Sequence, residues 1–195
     1  KTVILPDIKD MSPAALRNIE SYVNEGGNIL ATGKTSAYDA HGNLLDKVML
    51  ACAGIKEICK IIPQEKGMYL RVRPCDKNVL KGFEDLDIIY LYDDFMVLDT
   101  DDDSEKYLSY IPTCMFGPPE KCYYSLETTI PGMVLKQYGK GKCVFIPWGI
   151  GRHYETLSNH AHSMLLISTL RNLLSVKNLI SVDVSPVVEV ASHIQ

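Results

Sequence analysis

The turn at residues 33–36 reads Gly-Lys-Thr-Ser and holds residue types that bind phosphate or attack a carbonyl carbon. A phosphate-binding loop requires the longer pattern G-x-x-x-x-G-K-[ST], and only its last part is present. A nucleophile elbow places Ser or Cys between small residues, whereas Lys34 follows the glycine here and Ser36 is the nearest candidate nucleophile. The alternative is that the Thr35 or Ser36 hydroxyl satisfies free N–H groups of the next segment. We expect this structural role and no catalytic residue in the turn.

Two histidine-containing motifs, at residues 153–155 and 160–162, are the next candidates. A His beside an acidic residue is half of a catalytic triad, but His153 and Glu155 point to opposite sides of an extended segment. The histidines His160 and His162 also diverge on a helix. The motifs therefore predict polar residues at a helix entry rather than a catalytic or metal site.

An acidic run at residues 99–105 and six cysteines complete the candidates for metal binding. The acidic run lacks the glycine and the distant Glu of a calcium loop. The cysteines contain no C-x-x-C pair, which argues against a zinc site. We predict a solvated acidic turn, buried free thiols with Cys143 as the clearest case, and neither a metal nor a cofactor.

The single tryptophan, Trp148, is predicted to lie at the same end of the sheet as Tyr38 and Arg152. Aromatic rings beside a guanidinium are frequent at interfaces and at ligand sites, and sugar binding would use them. Packing of Trp148 in the core is an equal alternative. The possible ligand or interface residues at this end are Lys34, Thr35, Ser36, Tyr38, Asp39, Trp148, Arg152 and His153.

A strand–helix–strand unit is predicted to position the first of these residues. Residues 3–5 and 29–31 read as short buried strands, Ser12-Pro13 begins a helix, and Gly26-Gly27 ends it. Strands joined in this way are parallel. The turn at residues 33–36 then lies at a carboxyl end of the sheet, where ligands bind in open α/β folds.

The remaining elements follow from changes in apolar periodicity. Between residues 55 and 131 strand alternation replaces helical spacing, with Asp93-Asp94 as a hairpin turn. The other expected elements are a helix at residues 44–52, strands at 68–73, 88–92, 95–98 and 107–111, a hairpin at 133–146, a long helix at 156–174, and strands at 179–184 and 187–190.

Composition limits the classes of function. The net charge of −4 argues against a nucleic-acid binder, which is usually basic. The chain shows neither a signal peptide nor an apolar run of the roughly 18 residues that a membrane span needs. We expect a soluble protein, cytoplasmic or periplasmic, and a piece of a longer polypeptide because residues 2–5 already read as a strand.

Four segments together carry a family resemblance: residues 3–7, residues 22–33, residues 36–42 with Tyr38 and Asp39, and residues 139–152. Their order and spacing resemble the class I glutamine amidotransferase-like domain of glycoside hydrolases. They are most similar to the trimerisation domain of family 42 β-galactosidases. The resemblance weakens between residues 55 and 103.

This resemblance implies a flavodoxin-like, three-layer α/β sandwich with a mainly parallel sheet and a β-rich insertion in the middle of the chain. The domain would span residues 1–184, with its first β-α unit upstream, and residues 185–195 would begin a β-domain or linker. Amidotransferases carry a Cys nucleophile and a later His-x-Glu. Here Lys34 occupies the elbow, and residues 153–155 come several residues too late, so the resemblance implies a domain without catalytic residues.

The sequence therefore predicts a non-catalytic accessory or oligomerisation domain, whose parent is a glycosidase. Its partners would be the catalytic domain, like subunits and a carbohydrate, with no nucleic acid or membrane. One alternative is an amidotransferase-like hydrolase with an unconventional nucleophile. Another is a sugar-binding domain of the trehalose-utilisation type, which would use Trp148, Tyr38 and Arg152.

Overall fold

The computed structural model describes residues 1–113, 118, 128–157 and 159–177, which form a mixed α/β fold. In chain order its elements are β1 (Thr2–Pro6), α1 (Pro13–Asn24), β2 (Asn28–Thr32), β3 (Ile55–Ile62), β4 (Met68–Arg71), α2 (Pro74–Lys77), β5 (Ile88–Leu91), β6 (Phe95–Thr100), β7 (Glu105–Ile111), β8 (Pro131–Tyr138), β9 (Gly141–Ile146), α3 (Ile150–Leu157) and α4 (His160–Ser168). A 3-10 turn at Ala51–Ala53 and a π-helical turn at Thr169–Leu173 are also present.

The main sheet has seven strands in the order β1-β2-β9-β8-β7-β4-β5, and β3 pairs with β6 in a separate two-stranded sheet. The pairs β1–β2 and β2–β9 are parallel, and the other four pairs of the main sheet are antiparallel. The prediction of a mainly parallel sheet is therefore wrong. Two neighbouring parallel strands must be joined by a long crossover, which is usually a helix. The β-rich middle of this chain has few helices, and its strands pair antiparallel.

The strand–helix–strand unit forms as predicted. The Ser12 side chain accepts a hydrogen bond from Ala15 N at 3.2 Å, and proline occupies the first turn of α1. The helix buries Leu16 and Val23, and Gly26 follows it at a φ of +113°. Both ends of α1 therefore lie where the capping signals predict them, and β1 lies parallel to β2.

Two hydrophobic cores show that the sheet is covered on both faces. Along β9, Val144 and Ile146 belong to the first core, whereas Cys143 and Phe145 belong to the second. The first core includes residues of α4, and the second includes residues of α1, β3 and β6. The layered α/β character and the β-rich middle of the prediction are confirmed, but the strand pairing fits a flavodoxin-like sheet only in part.

Residues 44–52 do not form the predicted helix. The backbone N–H of Met49 donates to Ser36 O, and that of Leu50 donates to the Ser36 hydroxyl. The Asp46 carbonyl accepts from Ile58 N. Because these groups bond to distant segments, only the 3-10 turn at Ala51–Ala53 remains.

Two further elements differ from expectation. The strands β5 and β6 belong to different sheets, so Asp93-Asp94 is not a hairpin turn. The predicted long helix begins earlier, at Ile150, and is divided, because the Asn159 side chain caps a new helix at His160. The predicted strands at residues 179–184 and 187–190, and the boundary at residue 184, lie outside the described residues.

Within the part of the chain that the structure describes, no helix has both the length and the apolar character that crossing a membrane requires.

Candidate functional site

The three parallel strands end at one edge of the sheet, beside the first turn of α3. A cavity of about 280 Å³ opens there, which we call the strand-end cleft. Its lining residues come from the ends of β1 and β2 and from the segment after β9: Pro6, Asp7, Thr32, Gly149, Gly151, Arg152 and Glu155. The topology therefore places a cleft where open α/β folds bind their ligands.

The glycine turn, residues 33–36, directly follows β2 at this edge of the sheet. Gly33 has a φ of +63°, and its N–H points at the carbonyls of Ile146 and Trp148, at 2.9 and 3.0 Å. A Cβ at this position would lie 2.4 Å from Asp7 Oδ1. That carboxylate oxygen accepts a hydrogen bond from Lys34 N at 2.7 Å. Glycine is needed here both for the positive φ and for the close approach of Asp7.

The candidate nucleophiles of the turn are buried, and their hydroxyls are engaged. The Thr35 hydroxyl donates to Thr32 O at 2.7 Å and accepts from Ile8 N at 3.2 Å. The Ser36 hydroxyl accepts from Leu50 N at 3.1 Å. Both hydroxyls thus satisfy backbone N–H groups of neighbouring loop segments, an earlier segment for Thr35 and a later one for Ser36.

Two ion pairs border the cleft, and both use the Asp93-Asp94 loop. The Lys34 amine lies 2.5 Å from Asp94 Oδ2. Burial alone would lower the pKa of Lys34, but the hydrogen bond and charge of Asp94 outweigh it, so this pKa is raised. The same hydrogen bond lowers the pKa of Asp94. Asp93 accepts from Gly149 N at 2.8 Å and from Arg152 Nη1 at 3.0 Å, which fixes the start of α3.

Trp148 is fully buried and packs against two histidines beneath the cleft. Its ring centroid lies 5.2 Å from that of His153, and the rings of His153 and His162 are 4.9 Å apart. The indole N–H donates to Gly132 O at 3.1 Å. Trp148 therefore has the core-packing role and presents no ring face to a ligand.

Both histidines are held in neutral forms. His153 Nε2 accepts from Tyr92 N at 2.8 Å, so its Nδ1 carries the proton and donates to Gly149 O at 3.0 Å. His162 Nε2 lies 2.7 Å from Tyr90 O and donates to it, while its buried Nδ1 has no partner among the described residues. Burial lowers the pKa of His153 and of His162. His153 has no free ring nitrogen, and the free Nδ1 of His162 is fully buried, so neither ring can act as a base on a ligand in the cleft.

We expect the protein to lose stability as the pH falls below about 6.5, the ordinary pKa of histidine. In the unfolded chain His153 and His162 bind protons from that pH downward, whereas burial keeps them neutral in the fold until a lower pH. The unfolded state then binds more protons, and the free energy of unfolding decreases. Urea denaturation between pH 7.5 and 5 measures this loss.

His162→Gln should reduce the slope of stability against pH between about pH 6.5 and 5, because one buried titrating ring is removed. His41→Gln, at an exposed position, is the matched control and should leave that slope unchanged. Equal slopes for the wild type and His162→Gln would contradict the assignment.

Tyr38 and Asp39 lie away from the Trp148 cluster. Tyr38 packs against the second core and pairs with Leu44, and the Lys9 amine lies 5.9 Å from its ring centroid. Asp39 accepts hydrogen bonds from the backbone N–H groups of His41 and Asn43 at 2.9 and 2.8 Å, and Asn43 lowers its pKa. The structure thus does not bring Tyr38 together with Trp148, which belongs to the first core.

The sequence interpretation missed four acidic residues at this edge: Asp7, Asp93, Asp94 and Glu155 as a lining residue. Asp7 directly follows the first predicted strand, so the rule that ligands bind at strand ends was a usable signal. Nothing local distinguishes Asp93-Asp94 from a hairpin turn. Among the described residues, no group of three or more His, Cys, Asp or Glu side chains is arranged to hold a metal ion.

Comparison with known proteins shows a shared fold. No protein-family model matches the sequence, and no curated protein matches it. The β-galactosidase of Bacillus circulans sp. alkalophilus matches 93% of this chain and 24% of its own, at a TM-score of 0.64 and 16% identity. The β-galactosidase of Rahnella sp. R3 matches 88% of this chain and 22% of its own, at a TM-score of 0.61 and 14% identity. The chain therefore spans less than a quarter of these enzymes.

A smaller protein has a similar fold. A cytoplasmic protein from Salmonella typhimurium matches 87% of this chain and 70% of its own, at a TM-score of 0.58 and 16% identity. The predicted resemblance to a β-galactosidase domain is confirmed at the level of the fold.

Proposed function

We propose that this chain is a non-catalytic accessory domain of a glycoside hydrolase, which associates with like subunits or with a catalytic domain. The observation that supports it most is the match of 88–93% of the chain to less than a quarter of two β-galactosidases. A finer proposal, from the sequence segments at residues 22–33 and 139–152, is a counterpart of the amidotransferase-like trimerisation domain of family 42 enzymes.

The side chains at the strand ends support a domain without hydrolytic activity. The hydroxyls of Thr35 and Ser36 bond to the backbone, and both His153 nitrogens are engaged. The Lys34 amine is paired with Asp94. An amidotransferase-like reaction would need one of these groups to be free to attack or to take a proton.

An apolar surface beside the glycine turn supports association. Ile8, Leu44 and Met49 are 39–45% exposed, and with the half-buried Tyr38 they form what we call the loop patch. The segments touch one another, because Ser36 bonds through its backbone to Ile8 O and Met49 N, and Tyr38 pairs with Leu44. We therefore take these exposed apolar residues on neighbouring segments as the interaction surface of the proposal.

We expect the double variant Leu44→Ser/Met49→Ser to weaken self-association of the chain by about tenfold or more, because two apolar contacts are lost. Sedimentation velocity over a concentration series measures the dissociation constant. Ile167→Ser is the matched control, since Ile167 is 47% exposed on α4, outside the loop patch.

Two results would contradict the proposal. A chain that stays monomeric at every concentration would exclude association with like subunits through the loop patch. Hydrolysis of nitrophenyl galactoside or glutamine that disappears in Ser36→Ala would exclude a non-catalytic domain.

A further inference from the structure

We propose that the strand-end cleft binds one neutral, polyhydroxylated molecule of monosaccharide size. This inference is independent of the accessory role, since it depends only on the walls of the cleft.

The size of the cleft suits a small ligand. Its volume of about 280 Å³ lies just below the range of about 300–1,000 Å³ that is usual for small-molecule sites. A single sugar ring or a similar polyol fits such a space, whereas a nucleotide or an oligosaccharide would extend beyond it. Gly151 keeps one wall open, since a Cβ there would have no atom within 4 Å, whereas a Cβ at Gly149 would lie 2.1 Å from Asp93 Oδ2.

Acceptors line part of the cleft. Asp7 uses Oδ1 to bind Lys34 N, and its Oδ2 makes no hydrogen bond within the described part of the chain. Glu155 likewise has no hydrogen bond or ion pair with a described residue, and it lies one helical turn after Gly151 on α3. The two carboxylates can therefore accept hydrogen bonds from a ligand.

Donors line the same space. Arg152 uses Nη1 to bind Asp93, and the other N–H groups of its exposed guanidinium make no hydrogen bond with a described residue. Thr32 adds a hydroxyl, which both donates and accepts. A ligand in the cleft would thus meet donors and acceptors at short range.

This mixture of charges favours a neutral ligand. An anion would meet the carboxylates of Asp7 and Glu155, and a cation would meet the guanidinium of Arg152. Either would therefore lie beside a like charge, which disfavours its binding, and Arg152 is already paired with Asp93. Adjacent hydroxyls avoid this conflict, because each hydroxyl donates to a carboxylate and accepts from a guanidinium or hydroxyl.

Titration of the full chain with galactose and with glucose, followed by protein NMR chemical shifts, tests the proposal. We expect at least one of them to bind with a dissociation constant of about 1–10 mM, since a ligand of this size offers few contacts. The shifts should centre on Gly149, Gly151 and Glu155.

Glu155→Ala should weaken this binding by about tenfold, because a hydrogen bond to a charged group is lost. Asp7→Asn should also weaken it, and its amide oxygen can still accept from Lys34 N. Tyr154→Ala is the matched control: Tyr154 is exposed on the same helix, does not line the cleft, and should leave binding unchanged.

Three outcomes would overturn the proposal. The first is the absence of saturable binding by either sugar. The second is binding that neither Glu155→Ala nor Asp7→Asn weakens. The third is binding of inorganic phosphate that displaces the sugar and is lost in Arg152→Ala, which would identify an anion site.

Discussion

Replacing Trp148 by alanine is expected to lower the free energy of unfolding by about 3–5 kcal/mol, the usual cost of removing a buried aromatic ring. Trp148 is among the largest fully buried side chains of the described residues, and it contacts both His153 and His162. Its loss would leave a cavity beneath the strand-end cleft. It would also leave Gly132 O without the indole N–H.

Urea denaturation followed by far-UV circular dichroism measures the effect, because the variant has no tryptophan for fluorescence. Trp148→Phe keeps most of the ring packing and should cost less than Trp148→Ala, so it remains informative if the alanine variant fails to fold. Tyr154→Ala, at an exposed position, is the control. A loss below about 1 kcal/mol in Trp148→Ala would contradict a role in the core.

Replacing Gly33 by alanine is expected to cost about 2–4 kcal/mol, the sum of two separate penalties. The first is the φ of +63°, which costs a residue with a Cβ roughly 1–2 kcal/mol. The second is steric, because the new Cβ would lie 2.4 Å from Asp7 Oδ1. The carboxylate must then move and give up its hydrogen bond to Lys34 N.

A matched pair of variants separates the two penalties by urea denaturation. Gly42 has a φ of +81°, and a Cβ added there would have no atom within 4 Å, so Gly42→Ala should show the backbone penalty alone. In the Asp7→Gly background, Gly33→Ala should cost less than in the wild type, because the opposing carboxylate is gone. If Gly33→Ala lowers the free energy of unfolding equally in the wild type and in the Asp7→Gly background, the steric contact with Asp7 is not a cause of the loss.

Short-range signals predicted the parts of the fold that depend on neighbouring residues. Ser12-Pro13 and Gly26-Gly27 marked the ends of α1, and the Gly139–Gly141 region predicted the turn between β8 and β9. The parallel pairing of β1 and β2 followed from the helix between them. The turn at residues 33–36 was also placed correctly, at the carboxyl end of β2.

Long-range contacts decided the features that were missed. Residues 44–52 have helical spacing, but backbone groups of this segment form hydrogen bonds with Ser36 and Ile58 instead of with one another. Asp93-Asp94 looks like a hairpin turn, and only the positions of Lys34 and Arg152 show its part in the site. Trp148 is buried against His153 and His162, which follow it in the chain. Because histidine is polar, a pattern of apolar residues does not predict this packing.

The pairing of β2 with β9 has a consequence for the order of folding. Asn28 and Lys142, which bond through the Asn28 side chain, are 114 residues apart in the chain. A contact of this separation closes a long loop, and such contacts slow folding. One wall of the strand-end cleft belongs to β1 and β2 and the other follows β9, so the cleft exists only after this loop has closed. An intact cleft thus requires this loop to be closed, and a partner that recognises the cleft would distinguish completed chains from chains in which β9 has not paired with β2.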